Sequence, residues 1–193
     1  MKNVLIGLAF VLVCSAGYSQ PVTRQEFNDL KTRVLTLEKK AKISANYEQL
    51  PANSYRVTVN YDLPVETAVT NGKYNRFDKD ITSEHFPTKC SGITSLDIEI
   101  IPFNRVITSA DAIAELDTMG LRPAELHELL ALGEQYPDLQ REFPVVALGS
   151  VWCDLYGFRL VAVLFGGGGL RSLGLYWFEV GWGAGCRFAA VRK

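Results

Sequence analysis

Two histidines and four cysteines are the residues of this chain with the most versatile chemistry. His85 and Cys90 lie close together in the sequence, and a cysteine nucleophile with a histidine base is one way to build a small hydrolase. Such a pair works only when a third group orients the imidazole, and sequence alone cannot supply that group. A hydrolase that acts on cell-wall or surface polymers through residues 73–94 is therefore our second hypothesis.

The other polar candidates predict structure rather than catalysis, and no catalytic residue is assigned. His127 alternates with leucines along a predicted helix, which favours a solvated or capping imidazole. No cysteine or histidine pair has metal-ligand spacing, so neither a metal nor a cofactor is predicted. A strand-like segment follows Gly166 to Gly169, which indicates a hairpin tip and not a phosphate loop. We expect the carboxylates of Asp154 and Glu179 to be solvated.

Aromatic and arginine side chains concentrate in the C-terminal part of the chain, and such side chains dominate binding hot spots. The set comprises Trp152, Tyr156, Phe158, Trp177, Trp182 and Phe188, with Arg159, Arg171 and Arg187. Alternation along the strands requires some of these rings to be core. Trp152 and Trp182 lie just outside the predicted strand interiors, and Arg187 begins the last strand. We therefore predict a noncatalytic ligand site at Trp152, Trp182 and Arg187.

The cysteines predict at most one disulfide. Cys14 lies in a segment that we expect to be removed on export, which leaves three cysteines in an oxidising compartment. Cys153 follows a predicted central strand and Cys186 begins the last one, so both sit at strand ends that a meander can bring together. The sequence predicts a Cys153–Cys186 bond and an unpaired Cys90.

The N-terminus has the pattern of an export signal. Lys2 precedes an apolar run from Val4 to Val13 that is too short to span a bilayer as a mature helix, and small residues follow. Residues 1–19 are therefore predicted to be a signal peptide of a periplasmic or extracellular protein. A lipoprotein signal with Cys14 as the anchor stays open, and only then do we expect a lipid-anchored envelope protein.

Composition and charge exclude several classes of protein. The chain has 193 residues, of which 48% are hydrophobic, and a formal net charge of −1. A disordered protein would have fewer apolar residues, and this length fits one ordinary domain with an appendage. A near-neutral surface attracts neither nucleic acid nor an anionic membrane.

Residues 22–45 are predicted to form an amphipathic, coiled-coil-like helix. Its apolar residues fall at alternating spacings of three and four and form a seam made of Phe27, Leu30, Val34 and Leu37. Because one short helix cannot bury such a seam alone, we predict self-association through it. An amphipathic helix that lies on its own domain is the alternative.

The N-terminal half of the remaining domain, residues 55–193, is the less regular half. Tyr55 to Tyr61 alternates apolar and polar residues, as a half-buried strand does, and so does Leu96 to Pro102. Asn71-Gly72 predicts the tight turn of a hairpin. Residues 73–94 show no periodicity and are predicted to be a loop.

The C-terminal half decides the predicted fold. Phe143 to Ser150 is a continuous apolar run that is typical of a central strand buried on both faces. Three strand-like segments follow and predict an antiparallel meander, at residues 156–165, 170–180 and 186–192. Thr108 caps a helix that Gly120 ends, and a second helix begins at Pro123, which predicts an αα hairpin. The predicted class is α+β, with the meander sheet packed against this hairpin.

Several motifs in residues 119–193 carry a resemblance to a known family. They are Arg122-Pro123-Ala124, Leu129 to Leu132, Tyr136-Pro137, Phe143 to Ser150, Trp177-Phe178, Trp182 and Arg187 to Lys193. They resemble the RPAT-ELLAL, FPIVALGS and W-RFLAVRK motifs of a family of small uncharacterised bacterial proteins, and the resemblance implies no activity. Our first hypothesis is an exported noncatalytic binding or assembly protein of the bacterial envelope or extracellular space.

Overall fold

A computed structural model describes Asp29, residues 31–34 and residues 53–193. Asp29 and residues 31–34 are helical, and the Val34 side chain is exposed. The predicted signal peptide and Cys14 lie outside the described residues, as do the other members of the predicted seam, Phe27, Leu30 and Leu37. No helix in the described part of the chain is both long and apolar enough to cross a membrane.

Residues 53–193 contain strands and short helices that alternate along the chain. The strands are β1 (Ser54–Asn60), β2 (Arg76–Phe77), β3 (Ile93–Pro102), β4 (Ile107–Thr108), β5 (Leu121–Pro123), β6 (Val145–Cys153), β7 (Arg159–Gly167), β8 (Leu170–Trp177), β9 (Gly181–Trp182) and β10 (Arg187–Arg192). The helices are α1 (Val65–Asn71), α2 (Ser109–Thr118), α3 (Leu126–Gln135) and α4 (Leu139–Glu142).

One mixed sheet organises these elements. Its strand order is β1-β3-β10-β6-β7-β8-β2, and β5 also pairs with β10. β10 runs parallel to β6 and β2 runs parallel to β8, whereas the other pairs of this sheet are antiparallel. β4 and β9 form a separate two-stranded sheet. The described domain is therefore a mixed α/β structure.

Both faces of the large sheet are covered. The face that we call the α3 face packs against α1, α3 and α4, and includes Val145, Ala147 and Leu164. The opposite face, which we call the α2 face, packs against α2, β4 and β9, and includes Val146 and Leu148. Consecutive residues of β6 thus point into two different cores, because side chains alternate along a strand. This explains why the apolar run of β6 is continuous.

The predicted antiparallel meander is wrong beyond its first three strands. β6, β7 and β8 are antiparallel neighbours, as a meander requires. After β8 the chain crosses the α2 face through β9, where Trp182 packs against the sheet. It then enters the sheet as β10, on the far side of β6 and parallel to it. The period of the apolar residues cannot reveal this crossing, because it defines strands and not their partners.

The predicted αα hairpin is also wrong. α2 and α3 pack on opposite faces of the sheet, since Ala112 belongs to the α2 face and Leu129 to the α3 face. The link between them is β5, whose residues pair with β10, so Pro123 lies in a strand and not in a first helical turn. Asn71-Gly72 likewise ends helix α1 instead of turning a hairpin.

Several local predictions are confirmed. Val145 to Leu148 are buried, and β6 lies in the middle of the sheet. The Thr108 side chain accepts a hydrogen bond from the Asp111 backbone as the N-cap of α2. Gly120 has a left-handed φ of 74° just beyond the end of that helix. The Gly166 to Gly169 segment forms the β7–β8 hairpin tip, where Gly167 pairs with Leu170.

The outer edge of β1 is covered by side chains from the end of α3. The Gln135 amide accepts from the Thr58 backbone N–H at 3.0 Å and donates to the Thr58 carbonyl at 2.9 Å. The Tyr136 hydroxyl donates to the Arg56 carbonyl at 2.9 Å. A primary amide bonded in this way replaces one residue of a neighbouring strand, which blunts an edge that would otherwise pair with another chain.

We expect Gly149→Ala to destabilise the domain by about 3 kcal/mol, because overpacking against backbone cannot relax by a rotamer change. A Cβ atom at Gly149 would lie 2.5 Å from the Ala124 carbonyl oxygen and 2.7 Å from that of Pro123. Gly183→Ala is the control, since its Cβ meets nothing within 4 Å. Urea denaturation of both variants measures the difference, and equal stability would contradict this account of the β5–β6 contact.

Candidate functional site

Trp182, predicted to bind a ligand, is a core residue on the α2 face. It is 4% exposed, and its indole N–H donates to Ser109 Oγ at 2.8 Å. Its ring meets Phe188 at right angles with 6.2 Å between centroids. Its polar atom and its apolar surface are both satisfied inside the protein, so this ring is not available to a ligand.

Trp152 and Arg187 lie elsewhere. Trp152 is half-buried on the α3 face, where its ring stacks on His85 with 4.1 Å between centroids. The Arg187 guanidinium lies over the Phe143 ring at 5.3 Å. The structure therefore does not bring Trp152, Trp182 and Arg187 into one site.

The thiols of the predicted disulfide are far apart. β10 runs parallel to β6 with Arg187 opposite Val145, so Cys186 lies near the beginning of β6. Cys153 ends β6, and an extended strand of that length separates its ends by roughly 25 Å. A disulfide requires Cα atoms within about 7 Å of each other. The described cysteines, Cys90 included, are free thiols.

His85 and Cys90 do not form the pair that a cysteine hydrolase would need. The His85 Nδ1 atom hydrogen-bonds with the Asp80 carbonyl at 2.8 Å, and the ring is stacked on Trp152. Cys90 is exposed, and its backbone N–H donates to Thr88 Oγ1. Within the described residues no hydrogen bond joins the His85 and Cys90 side chains.

Several exposed apolar residues lie at the β6–β7 turn and the end of β8. Leu155 is 100% exposed and Tyr156 86%, while Phe158 and Trp177 are each about half-exposed. The Phe158 and Trp177 rings stack with 5.6 Å between centroids and 29° between planes. We call these four side chains the apolar apex. They come from the aromatic set that the sequence identified, together with one leucine.

A tight turn holds the apolar apex in place. The Asp154 carboxylate accepts hydrogen bonds from the backbone N–H groups of Tyr156 and Phe158, both at 2.9 Å. Gly157 adopts a φ of 84°, which favours glycine. Trp177 pairs across the strands with Leu160, which places its ring on the same face as Phe158. The Asp154 carboxylate, which we expect to be solvated, is partly exposed and also organises the turn.

Arg159 and Glu179, next to the apolar apex, form an ion pair. The Arg159 Nε atom lies 2.6 Å from Glu179 Oε1, and the guanidinium stacks over the Phe178 ring at 4.3 Å. Strand alternation directs Arg159 to the face opposite Phe158. The apolar apex therefore offers apolar contact area, and the charge within its turn is the Asp154 carboxylate, which backbone N–H groups bind.

A buried ionic network lies on the α3 face, away from the apolar apex. The Glu128 side chain is fully buried and accepts from Tyr61 Oη at 2.6 Å, from Arg122 Nη2 at 2.6 Å and Nη1 at 3.0 Å, and from the Glu125 backbone at 2.7 Å. Burial, followed by the hydrogen bond to Glu128, raises the pKa of Tyr61. The hydrogen bonds to Glu128 raise the pKa of Arg122. Tyr61 therefore stays protonated and Arg122 stays charged at neutral pH.

Sequence reasoning did not identify this network. It predicts a solvated or capping imidazole at His127, but this residue is 7% exposed, and its Nε2–H donates to the Leu63 carbonyl at 3.3 Å. The residue that could have indicated the network is Glu128. It is a charged residue within α3, and the structure buries residues 126–133 of that helix. A buried carboxylate requires partners, and Arg122 was close enough in sequence to be one.

Comparison with protein-family models, with curated proteins and with solved structures found no match to this chain. Among the described residues, no group of three or more histidine, cysteine or acidic side chains is arranged to hold a metal ion.

We expect Trp182→Ala to cost about 3 to 5 kcal/mol of stability, because it removes a large buried ring and the hydrogen bond that its indole N–H donates to Ser109 Oγ. Trp177→Ala is the matched control, since its ring is 56% exposed and loses little more than the stack with Phe158, about 1 kcal/mol. Thermal and urea melts of both variants measure the difference. A Trp182→Ala protein as stable as Trp177→Ala would contradict the core assignment.

We expect Glu128→Gln to cost about 3 kcal/mol, because it leaves the Arg122 guanidinium without its anion. Breaking a buried ion pair usually costs about 3 to 5 kcal/mol. We expect the low end of this range, because the Arg122 side chain is 36% exposed. Adding Arg122→Met should recover part of this loss, because the unpaired cation is then removed as well. A double-mutant cycle by urea denaturation measures the coupling, and strictly additive losses would contradict the network.

Proposed function

We propose that the protein is an exported, noncatalytic binding protein of the bacterial envelope or extracellular space, which docks on a partner protein through the apolar apex. The observation that carries this proposal is the exposure of Leu155, Tyr156 and Phe158 in one turn, with Trp177 stacked on Phe158. Contiguous exposed apolar side chains on a soluble domain mark interaction surfaces. Tyrosine and tryptophan are also the residues that contribute most to binding hot spots.

The shape and charge of the apolar apex favour a protein partner over other ligands. Leu155 and Tyr156 project from the tip of a turn, which suits insertion into a recess of a partner and not the enclosure of a small molecule. Nucleic acid and anionic lipid would require a basic surface, whereas the neighbouring Arg159 is paired with Glu179. The hydrogen-bonded turn at Asp154 orders the tip in advance, which lowers the entropic cost of binding.

The separation of His85 from Cys90 gives the hydrolase hypothesis no support in residues 73–94. The His85 side chain that this hypothesis required is engaged in structural contacts with Trp152 and with the Asp80 carbonyl.

The proposal that the protein is exported rests on the sequence pattern of residues 1–19.

Photo-crosslinking tests the proposal. A photoreactive phenylalanine analogue at position 156 should yield a discrete crosslinked protein in the envelope or culture medium of the source cells. The same analogue at position 93 should not, although Ile93 is 70% exposed. The crosslinked protein is then identified by mass spectrometry, purified and titrated against the full chain by calorimetry.

We expect Leu155→Ser and Trp177→Ser each to weaken this partner at least tenfold, which corresponds to about 1.4 kcal/mol. Ile93→Ser should leave the affinity unchanged. Unchanged affinity of both apex variants would overturn the proposal, as would the absence of a crosslinked protein. Binding to vesicles of phosphatidylethanolamine and phosphatidylglycerol that is lost in Leu155→Ser would overturn it in favour of a membrane surface.

A further inference from the structure

A second surface, independent of the apolar apex, is a cleft of about 200 Å³ between the residues after β1, the segment 83–88 and α3. It is lined by Tyr61, Asp62, Leu63, Pro64, Ser83, Phe86, Pro87, Thr88 and His127. Leu63, Pro64, Phe86 and Pro87 give it apolar walls. Its volume suits a small ligand or a single side chain, and its polar groups decide the chemistry of that ligand.

Each of the three hydroxyl groups in the lining donates its proton to a carboxylate. Tyr61 Oη donates to Glu128 at 2.6 Å, Thr88 Oγ1 to Glu125 Oε2 at 3.2 Å, and Ser83 Oγ to Glu66 Oε2 at 2.7 Å. A hydroxyl has one proton and two lone pairs, so these groups have only acceptor capacity left. A ligand that bonds to them must bring its own donors.

The imidazole of His127, which also lines the cleft, likewise offers a hydrogen-bond acceptor. A carbonyl oxygen can only accept, so the contact between His127 Nε2 and the Leu63 carbonyl requires a proton on Nε2. In the neutral ring, Nδ1 is then an acceptor. The cleft therefore presents acceptors from both its hydroxyl and its imidazole groups.

The charges around the cleft favour a cation. Glu66, Glu125 and Glu128 lie behind the three hydroxyls, and Asp62 is part of the lining. Hydrogen bonds from the Ser83 backbone and hydroxyl are among the interactions that lower the pKa of Glu66, which keeps it ionised. Of these four carboxylates, only Glu128 has a cationic partner among the described residues.

Lys89 is the cation that follows the lining in sequence. Its side chain is exposed, and it forms no ion pair with those carboxylates in the part of the chain that the structure describes. The local excess of negative charge is therefore available to a bound ligand.

We propose that this cleft binds a primary ammonium group carried on a short apolar stem. The ammonium supplies three donors to the acceptors of Tyr61, Thr88 and His127, and it balances the carboxylates behind them. The Phe86 ring in the lining adds cation–π attraction. The stem lies against Leu63 and Pro87.

Three probes of similar size separate charge from hydrogen bonding. n-Butylammonium carries both charge and donors, butyltrimethylammonium carries the same charge without donors, and pentanoate carries the opposite charge. Each is titrated into the full chain while the His127 ring and Thr88 amide signals are followed by NMR. We expect saturable binding of n-butylammonium, binding of butyltrimethylammonium that is at least fivefold weaker, and no binding of pentanoate.

Glu125→Gln tests the charge behind Thr88 while it keeps an acceptor of the same shape, and Glu179→Gln at the distant Arg159 pair is the control. We expect Glu125→Gln to weaken n-butylammonium at least threefold and Glu179→Gln to leave it unchanged. Thr88→Val provides a second variant, which removes one acceptor. The proposal is overturned if no probe binds, if pentanoate binds as well as n-butylammonium, or if Glu125→Gln and Glu179→Gln behave alike.

Discussion

The insertion of the last strand between two earlier parts of the chain is the constraint on which the rest of the fold depends. β10 pairs with β3 on one side and with β5 and β6 on the other. β1 and β3 join the other strands of the sheet only through β10 in the described order. The contacts of Phe188 to Val191 are therefore also the contacts that hold the two halves of the sheet together. β3, β5 and β6 are distant from β10 in the sequence. Bringing them together costs loop-closure entropy, which the contacts formed on pairing must offset.

The small residues near β10 follow from this crowding. β5 and β6 share one edge of β10, and the Ala124 backbone links them by donating to the Ala189 carbonyl and accepting from the Gly149 N–H. Three backbones meet there, and a side chain at Gly149 would collide with the carbonyls of Pro123 and Ala124. Ala189 and Ala190 face opposite cores, each already filled by helix residues. Small side chains are what this junction can accommodate on either face.

Local structure was largely predictable from the sequence, because it depends on neighbouring residues. The apolar run of β6 identified a strand covered on both faces, and the cap at Thr108 and the stop at Gly120 fixed the ends of α2. Strand partners were not predictable, because periodicity gives a strand two faces but does not choose its neighbours. β5 was missed for the same reason, since three residues carry no period of their own.

For the aromatic residues, too, the local sequence does not decide which rings are core and which are exposed. Trp177 and Trp182 are both close to glycines or strand ends, and no local pattern separates them. Long-range packing decides the difference, because β9 carries Trp182 under α2 to Ser109, whereas Trp177 ends β8 at an open edge of the sheet. The prediction of an aromatic binding surface survives as a proposal with different residues, and the predicted trio of Trp152, Trp182 and Arg187 does not form one surface.

On the α3 face, Trp152 and Leu160 lie between the cleft and the apolar apex. Phe86 lines the cleft and lies 6.4 Å from Trp152, measured between ring centroids. Trp152 pairs across β6 and β7 with Leu160, which in turn pairs with Trp177 of the apolar apex. Packing continuity of this kind does not amount to allosteric coupling, which needs an element with two arrangements that the two sites favour differently. These residues do provide a fixed separation, because Trp152, Leu160 and Trp177 are held in paired strands and Phe86 is buried against Trp152. A partner that used both surfaces at once would have to present its ammonium group and its apolar recess at that same separation.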